Sequence, residues 1–309
     1  MQILKKLGQL VVTVILVTLF ASFLLELLPG DPVEVLVPFG SDEQREAVRE
    51  DLGLDRPFLV RYGDWLGGFV QFWDPDLGNY YTVSSQRPVI DRVEDALPVS
   101  LQLMVYAQLM GLIVAIPLGV LTAHRKDTFF DRISNTSAFA MLAIPNFALG
   151  FILQYYLGVE LGWFPVTGNQ QSWWWVLPAI TLAVGQIAVY MRLLRSDMIA
   201  TLQQDFITMA KAKGLRTRRI LFRHALRPSS LTLLTVAGLN VGTLIGGTLI
   251  VEVVFQIPGM GLLLFEAIAT RQIVAFQSMV AIVAILYVVV NFAVDLLYTA
   301  LDPRIRNAR

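Results

Sequence analysis

The sequence predicts an all-α polytopic membrane protein with six transmembrane helices and an extracytoplasmic loop domain after the first span. Three observations predict it. Hydrophobic residues make up 55% of the 309 residues, charged residues only 16%, and mean hydropathy is +0.61, which is too apolar for a soluble domain of this length. Six apolar stretches approach the roughly 20 residues that a helix needs to cross a hydrocarbon core of about 30 Å. Lysine and arginine gather in alternate connections between those stretches. The net charge is zero, so no global field points to nucleic acid. There is no cysteine, which excludes disulfides, thiolate metal sites and cysteine nucleophiles and leaves the redox compartment open.

The spans are expected at 7–28, 97–123, 133–157, 176–194, 231–251 and 274–301. The first follows Lys5 and Lys6 as a signal peptide would, but it is too long for a signal core and no Ala-x-Ala site follows, so it reads as an uncleaved span. Pro117, Pro145 and Pro178 lie inside or near spans, which points to a packed bundle whose neighbouring helices satisfy the freed backbone groups. The chain divides into the N-terminus and first span (1–28), the loop domain (29–96), a five-span core (97–301) containing a polar segment at 196–229, and a tail (302–309).

Counting six crossings puts Lys5, Lys6, Arg125, Lys126, Arg132, the run from Arg192 to Arg227, and Arg304, Arg306 and Arg309 on one side. That side is the cytoplasm, and both termini are expected there. Glu160, Glu252, Glu266 and Arg271 fall on the other side with the loop domain. In that loop a capping serine or aspartate at 41–42, an acidic first turn and Gly53 mark a short helix, and a second amphipathic piece follows near Phe58 and Phe72. The loop reads as a folded lid and as a landing surface for an external partner.

Small residues recur at fourfold spacing in two spans: Ala107, Gly111, Ala115 and Gly119, then Gly238, Gly242 and Gly246. Such stripes let helix backbones approach closely in lipid, here within the subunit or across a dimer seam. Interior polar groups are few. Glu26, Glu252 and Asp295 lie near span ends, with Asn240 and Asn291 deeper, and no series of buried carboxylates or histidines marks an ion relay. This argues against an ion-gradient-driven secondary transporter, the alternative reading. His124 and His224 each adjoin an arginine in polar segments and lack metal-ligand spacing, and no phosphate-binding Gly-x-x-x-x-Gly-Lys-Ser/Thr motif occurs. If energy is needed, another subunit supplies it.

The most patterned polar element lies between the fourth and fifth spans, at 205–228. Phe206, Met209, Ala210 and Lys213 are spaced for one helical face, and Gly214 can take the left-handed conformation that ends a helix. Ile220, Leu221 and Ala225 continue a second short helix expected to stop near Pro228. A segment bound only to anionic lipid head groups needs charge, but not a glycine turn with apolar residues on both arms.

Here the chain resembles the permease subunits of binding-protein-dependent ABC importers, in the dipeptide, oligopeptide and nickel branch. In the cytoplasmic EAA loop of that family, Gly214 matches the glycine and Ala210 the second alanine. Thr208 stands at the glutamate position, Met209 at the first alanine and His224 at an isoleucine, while Leu226 matches and Pro228 arrives one residue late. Leu28-Pro-Gly-Asp-Pro32, Leu52-Gly-Leu-Asp-Arg-Pro57, Leu177-Pro-Ala-Ile-Thr181, Val251-Glu-Val-Val-Phe255, Pro258-Gly-Met-Gly261, Val294-Asp-Leu-Leu-Tyr298 and Leu301-Asp-Pro-Arg-Ile-Arg306 are similar to the peptide-permease pattern.

The resemblance implies a type I importer permease in a bacterial inner membrane. It pairs with a second, homologous permease subunit, takes substrate from an extracytoplasmic binding protein, and docks two ATP-binding cassette subunits through Phe206, Thr208, Met209, Ala210, Lys213, Gly214, Leu215, Arg218, Arg219 and His224. The chain binds no cofactor; ATP and magnesium belong to the partners. Dipeptides, longer peptides, glutathione-like compounds and nickel chelates all fit the resemblance.

Overall fold

The computed structural model describes residues 2–71, 77–81 and 86–301; Phe72, Arg304, Arg306, Arg309 and the tail at 302–309 lie outside them. It divides into two compact units, Met1–Val99 with Pro258–Val289, and Ser100–Ile257 with Val290–Arg309.

The first unit begins with α1 (Gln2–Glu26), and the loop domain folds against it. Asp31 of the Leu28-Pro-Gly-Asp-Pro32 motif caps α2 (Pro32–Leu36) by accepting from Val33 N–H, and it pairs with Arg49 of α3 (Asp42–Asp51). Partial burial would raise the Asp31 pKa, but the Val33 amide and the Arg49 guanidinium outweigh it and hold the carboxyl below its ordinary range. α3 starts with a capping box between Ser41 and Gln44 and ends at Gly53, where φ is +60° and Leu54 N–H reaches back to the Arg49 carbonyl. The expected second piece is α4 (Phe58–Phe69), whose Phe58, Tyr62, Trp65 and Phe69 form an aromatic ladder at helical spacing. Tyr62 lies 2.8 Å from the Thr18 hydroxyl of α1, and Arg61 pairs with Glu26. Thus Glu26, which the sequence places near a span end, is paired with the loop domain.

An all-helical loop was expected, but a two-stranded antiparallel hairpin follows, β1 (Asn79–Tyr81) and β2 (Gln86–Pro88), with Tyr80 opposite Arg87. The Tyr-Tyr pair favours extended backbone and Pro88 cannot continue a ladder. The Gln272 side chain behaves like a third strand's peptide group: it accepts from Tyr81 N–H at 2.9 Å and donates to the Tyr81 carbonyl at 2.6 Å. α12 (Met260–Ala269) and the start of α13 (Ile273–Leu301) complete the unit, where Trp65 donates to the Ser278 hydroxyl.

The second unit is a bundle built on α8 (Val176–Leu202), with 61% of its apolar stretch buried against 33% for the other long spans. α5 (Val89–His124) presents Ala107, Gly111, Ala115 and Gly119 as one buried stripe. A Cβ at Gly111 would lie 2.8 Å from Gln186 Oε1, and one at Gly119 would lie 3.0 Å from Leu194 Cβ and 3.1 Å from the Met191 carbonyl, so this stripe packs within the subunit against α8. The second stripe divides. In α11 (Leu226–Phe255), Gly242 abuts Asn291, Gly238 is half-buried, and Gly246 is exposed with no described atom within 4 Å of an added Cβ. Gly247, one residue on, meets Leu182 instead.

The third span is not the continuous helix expected. α6 (Phe129–Ala143) and α7 (Asn146–Leu153), which runs into a π-helical turn at Gln154–Glu160, are bent by 103°. Pro145 drives its predecessor Ile144 to extended backbone (ψ 121°). Among the described residues, four helices are long and apolar enough to cross a membrane, and five if the bent pair is one span. α1, 25 residues long, adds the apolar stretch Leu10–Glu26, so the described residues show four to five of the six expected spans and this further apolar stretch. A buried ion pair went unforeseen: Arg195 of α8 donates twice to Asp131 of α6, at 2.6 Å each, and Asn135 and the Asp127 amide complete the carboxylate's partners.

Two predictions follow from this packing. Gly119→Val is expected to cost about 1–3 kcal/mol through overpacking, whereas Gly246→Ala stays within about 0.5 kcal/mol, both measured by thermal denaturation of the purified protein. Asp131→Ala, which strands Arg195, is expected to cost roughly 2–4 kcal/mol, and a double change with Arg195→Met recovers part of the loss.

Candidate functional site

The polar segment at 205–228 is two arms joined at a glycine. α9 (Asp205–Ala212) ends in a Schellman motif: Leu215 N–H reaches the Ala210 carbonyl at 3.3 Å and Gly214 N–H reaches Lys211 at 2.9 Å. Gly214 has φ +73°, the left-handed conformation expected of it. The second arm starts as α10 (Thr217–Arg219), widens into a π-helical turn at Ile220–Ala225 and continues directly into α11. The expected stop near Pro228 does not occur. The looser turn before Pro228 accommodates its ring, and Ser229 bonds the Ala225 carbonyl through its hydroxyl.

One side of the segment is rooted in the bundle. Ile207, Ala210, Ile220, Leu221 and Ala225 are buried in the same cluster as Tyr190, Leu194 and Met198 of α8. Ser229 Oγ, 2.8 Å from Thr201 Oγ1, ties the start of α11 to the end of α8 across the whole excursion. The opposite side faces outward. Phe206, Thr208, Met209, Lys213, Gly214, Arg218 and Arg219 are exposed, and Leu215 and His224 are half-buried. Phe206 and Met209, 47% and 59% exposed, put two large apolar side chains side by side on the outer side of an otherwise polar segment.

The expected single face of Phe206, Met209, Ala210 and Lys213 therefore divides. Phe206, Met209 and Lys213 share the outer side, while Ala210, at the edge of the roughly 100° arc that the four residues span, turns inward beside Ile207, about 60° further round the helix. The sequence reading missed two residues. Ile207 is fully buried and anchors the first arm, and Phe222 is 46% exposed beside the basic residues of the second. Both were visible as apolar residues off the assigned stripe. Lys211, Lys213, Arg216, Arg218, Arg219, Arg223 and Arg227 are all exposed, so the outer face combines three large apolar side chains with a dense positive charge. Such a surface suits a protein partner with apolar pockets and acidic rims.

Residues 115–307 match the family described as binding-protein-dependent transport system inner membrane component, and residues 1–104 match its N-terminal companion. A putative peptide transport system permease protein of Brucella abortus is 35% identical over 98% of both chains. The oligopeptide transport system permease protein AppB of Bacillus subtilis is 36% identical over 94% of both, and the glutathione transport system permease protein GsiC of Escherichia coli is 32% identical over 98% of both. Among solved structures, the inward-facing MetNI methionine ABC transporter matches with a TM-score of 0.59 at 16% identity, covering 69% of this chain and 98% of that one, so the type I importer permease fold is shared.

Replacing Gly214 tests the joint between the arms. Proline cannot reach φ +73° and removes the bond to Lys211, so Gly214→Pro is expected to abolish partner binding at the segment. Gly214→Asn, which tolerates the left-handed region and meets no neighbour within 4 Å, is expected to cost under about 1 kcal/mol in thermal denaturation.

Proposed function

The chain belongs to the binding-protein-dependent transport system inner membrane components, and from that premise we propose that it is a permease subunit of an ATP-driven peptide importer. Members of this family are integral inner-membrane permease components and not themselves enzymes. The chain forms half of a translocation pathway with a second, homologous permease. Two ATP-binding cassette subunits, which hold ATP and magnesium, dock on the segment at 205–228 from the cytoplasm, where both termini also lie. A binding protein delivers substrate from outside. Relatives named for peptides, oligopeptides and glutathione support a peptide substrate.

One observation carries the reading: the outer side of the segment exposes Phe206, Met209 and Phe222 while its inner side is buried with the core of α8. An element gripped from outside and fixed to the spans from inside can pass displacement between the two. Coupling is then the difference in free energy with which the ATPase favours one arrangement of the bundle over the other. Thr208 leaves no carboxylate at the family's glutamate position, so docking rests on apolar contact and on the positive charge of both arms.

Reconstitution with the second permease, the ATPases and the binding protein is expected to give peptide uptake that requires ATP hydrolysis. Met209→Asp, exposed and outside the core, is expected to weaken ATPase association about tenfold or more without lowering the melting temperature. Uptake driven by an ion gradient without ATPases would overturn the proposal.

A further inference from the structure

We propose that a cleft within the first unit, at the outer end of the permease, binds the charged termini of a short peptide, with Arg87 taking the carboxylate and Asp95 the ammonium group. The cleft has a volume of about 470 Å³, within the range of small-molecule sites. Its wall is fixed before any ligand arrives. The Arg92 guanidinium lies 4.0 Å from the centroid of the buried Tyr80 ring and donates to Glu266 Oε2 at 3.1 Å. The pair neutralises itself and ties the start of α5 to α12. Buried Ala96 and Leu263 and the backbone at Pro258 and Gly259 supply an apolar floor.

Two charges on the lining are not spent in this way. Arg87, across the hairpin from Tyr80, and Asp95, one turn beyond Arg92 on α5, are both exposed, and neither forms an ion pair among the described residues. A concave site with an apolar floor, one available guanidinium and one available carboxylate suits a ligand carrying both signs at its ends and an apolar side chain between them. A simple anion or cation would leave one rim charge uncompensated. A short peptide with free termini has this pattern, and both of its end groups would make charge-assisted hydrogen bonds. The assignment rests on the peptide-importer reading above and adds to it a site on the permease separate from the delivering protein.

The test uses the complete transporter in nanodiscs without binding protein, with the tripeptide Ala-Phe-Ala, its N-acetylated form and its C-amidated form as probes in calorimetric titration. Arg87→Gln is expected to weaken free tripeptide about tenfold and to leave the C-amidated form unchanged; Asp95→Asn does the same for the free and N-acetylated forms. Both residues are exposed, and unchanged melting temperatures exclude misfolding. Equal affinity of wild type and variants for all three probes would overturn the site, as would absence of binding by a wild-type complex that still imports the tripeptide when its binding protein is supplied. Variants that bind peptide normally but lose stimulation of ATP hydrolysis by the binding protein would instead mark the cleft as a protein-docking surface and overturn the assignment. If the wild-type complex with all partners imports no peptide, the importer reading fails and the cleft with it.

Discussion

Close approach of helix backbones to α8 and its immediate neighbours is the contact on which the second unit depends. In lipid the hydrophobic effect does not draw one apolar helix to another, so packing must come from surfaces that fit at short range. Gly111 and Gly119 of α5 and Gly247 of α11 each stand where a Cβ would press on an α8 side chain, and Gly150 of α7 stands against Thr181 of α8 and Phe255. The buried ion pair from Asp131 to Arg195 fixes α6 to the same helix near its polar end. Because four neighbours, α5, α6, α7 and α11, are held at contact distance, the helix cannot shift without moving them.

That rigidity continues into the polar segment. Leu194 and Met198 belong to one cluster with Ile207, Ile220 and Leu221, so the last turns of α8 and both arms share a core. The Schellman motif at Gly214 sets the angle between the arms, and the π-helical turn at Ile220–Ala225 lets the second arm enter α11 without a break. A partner gripping Phe206 and Met209 would pull on a lever built into the bundle. Thr208 offers no carboxylate on this outer side, and the buried anchoring of both arms does not involve it.

The loop domain obeys a different constraint. It is too polar and too short of apolar residues to form a large core, and it borrows anchors from the helices beside it: Tyr62 on Thr18, Trp65 on Ser278, the Tyr81 backbone on Gln272, and the Pro29 carbonyl on Arg271. The hydrogen bonds of Gln272 replace those of a missing strand, which explains how a three-residue hairpin persists. The same framework leaves Arg87 and Asp95 facing outward with their charges available.

Local chemistry was legible in the sequence. Apolar length located the long helices α5, α8, α11 and α13, Ser41 and Gly53 marked the ends of α3, and Gly214 announced the left-handed turn between the arms, because each is decided within a few residues by solvent, hydrogen bonding or backbone sterics. The motif of the segment and the inward stripe from Ala107 to Gly119 were legible for the same reason. The bend at Pro145, the continuation through Pro228, the separation of Ala210 from Phe206 and Met209, and the choice of Gly247 over Gly246 as a contact were not. The Asp131–Arg195 pair joins residues 64 positions apart, and Gln272 meets Tyr81 across 191, so no local pattern records either. The sequence alone determined which segments form long apolar helices and where the polar segment must turn. Only the tertiary structure decided which side of each helix is covered, because that depends on the rotation of neighbours distant in sequence and on contacts that exist only once the helices have packed.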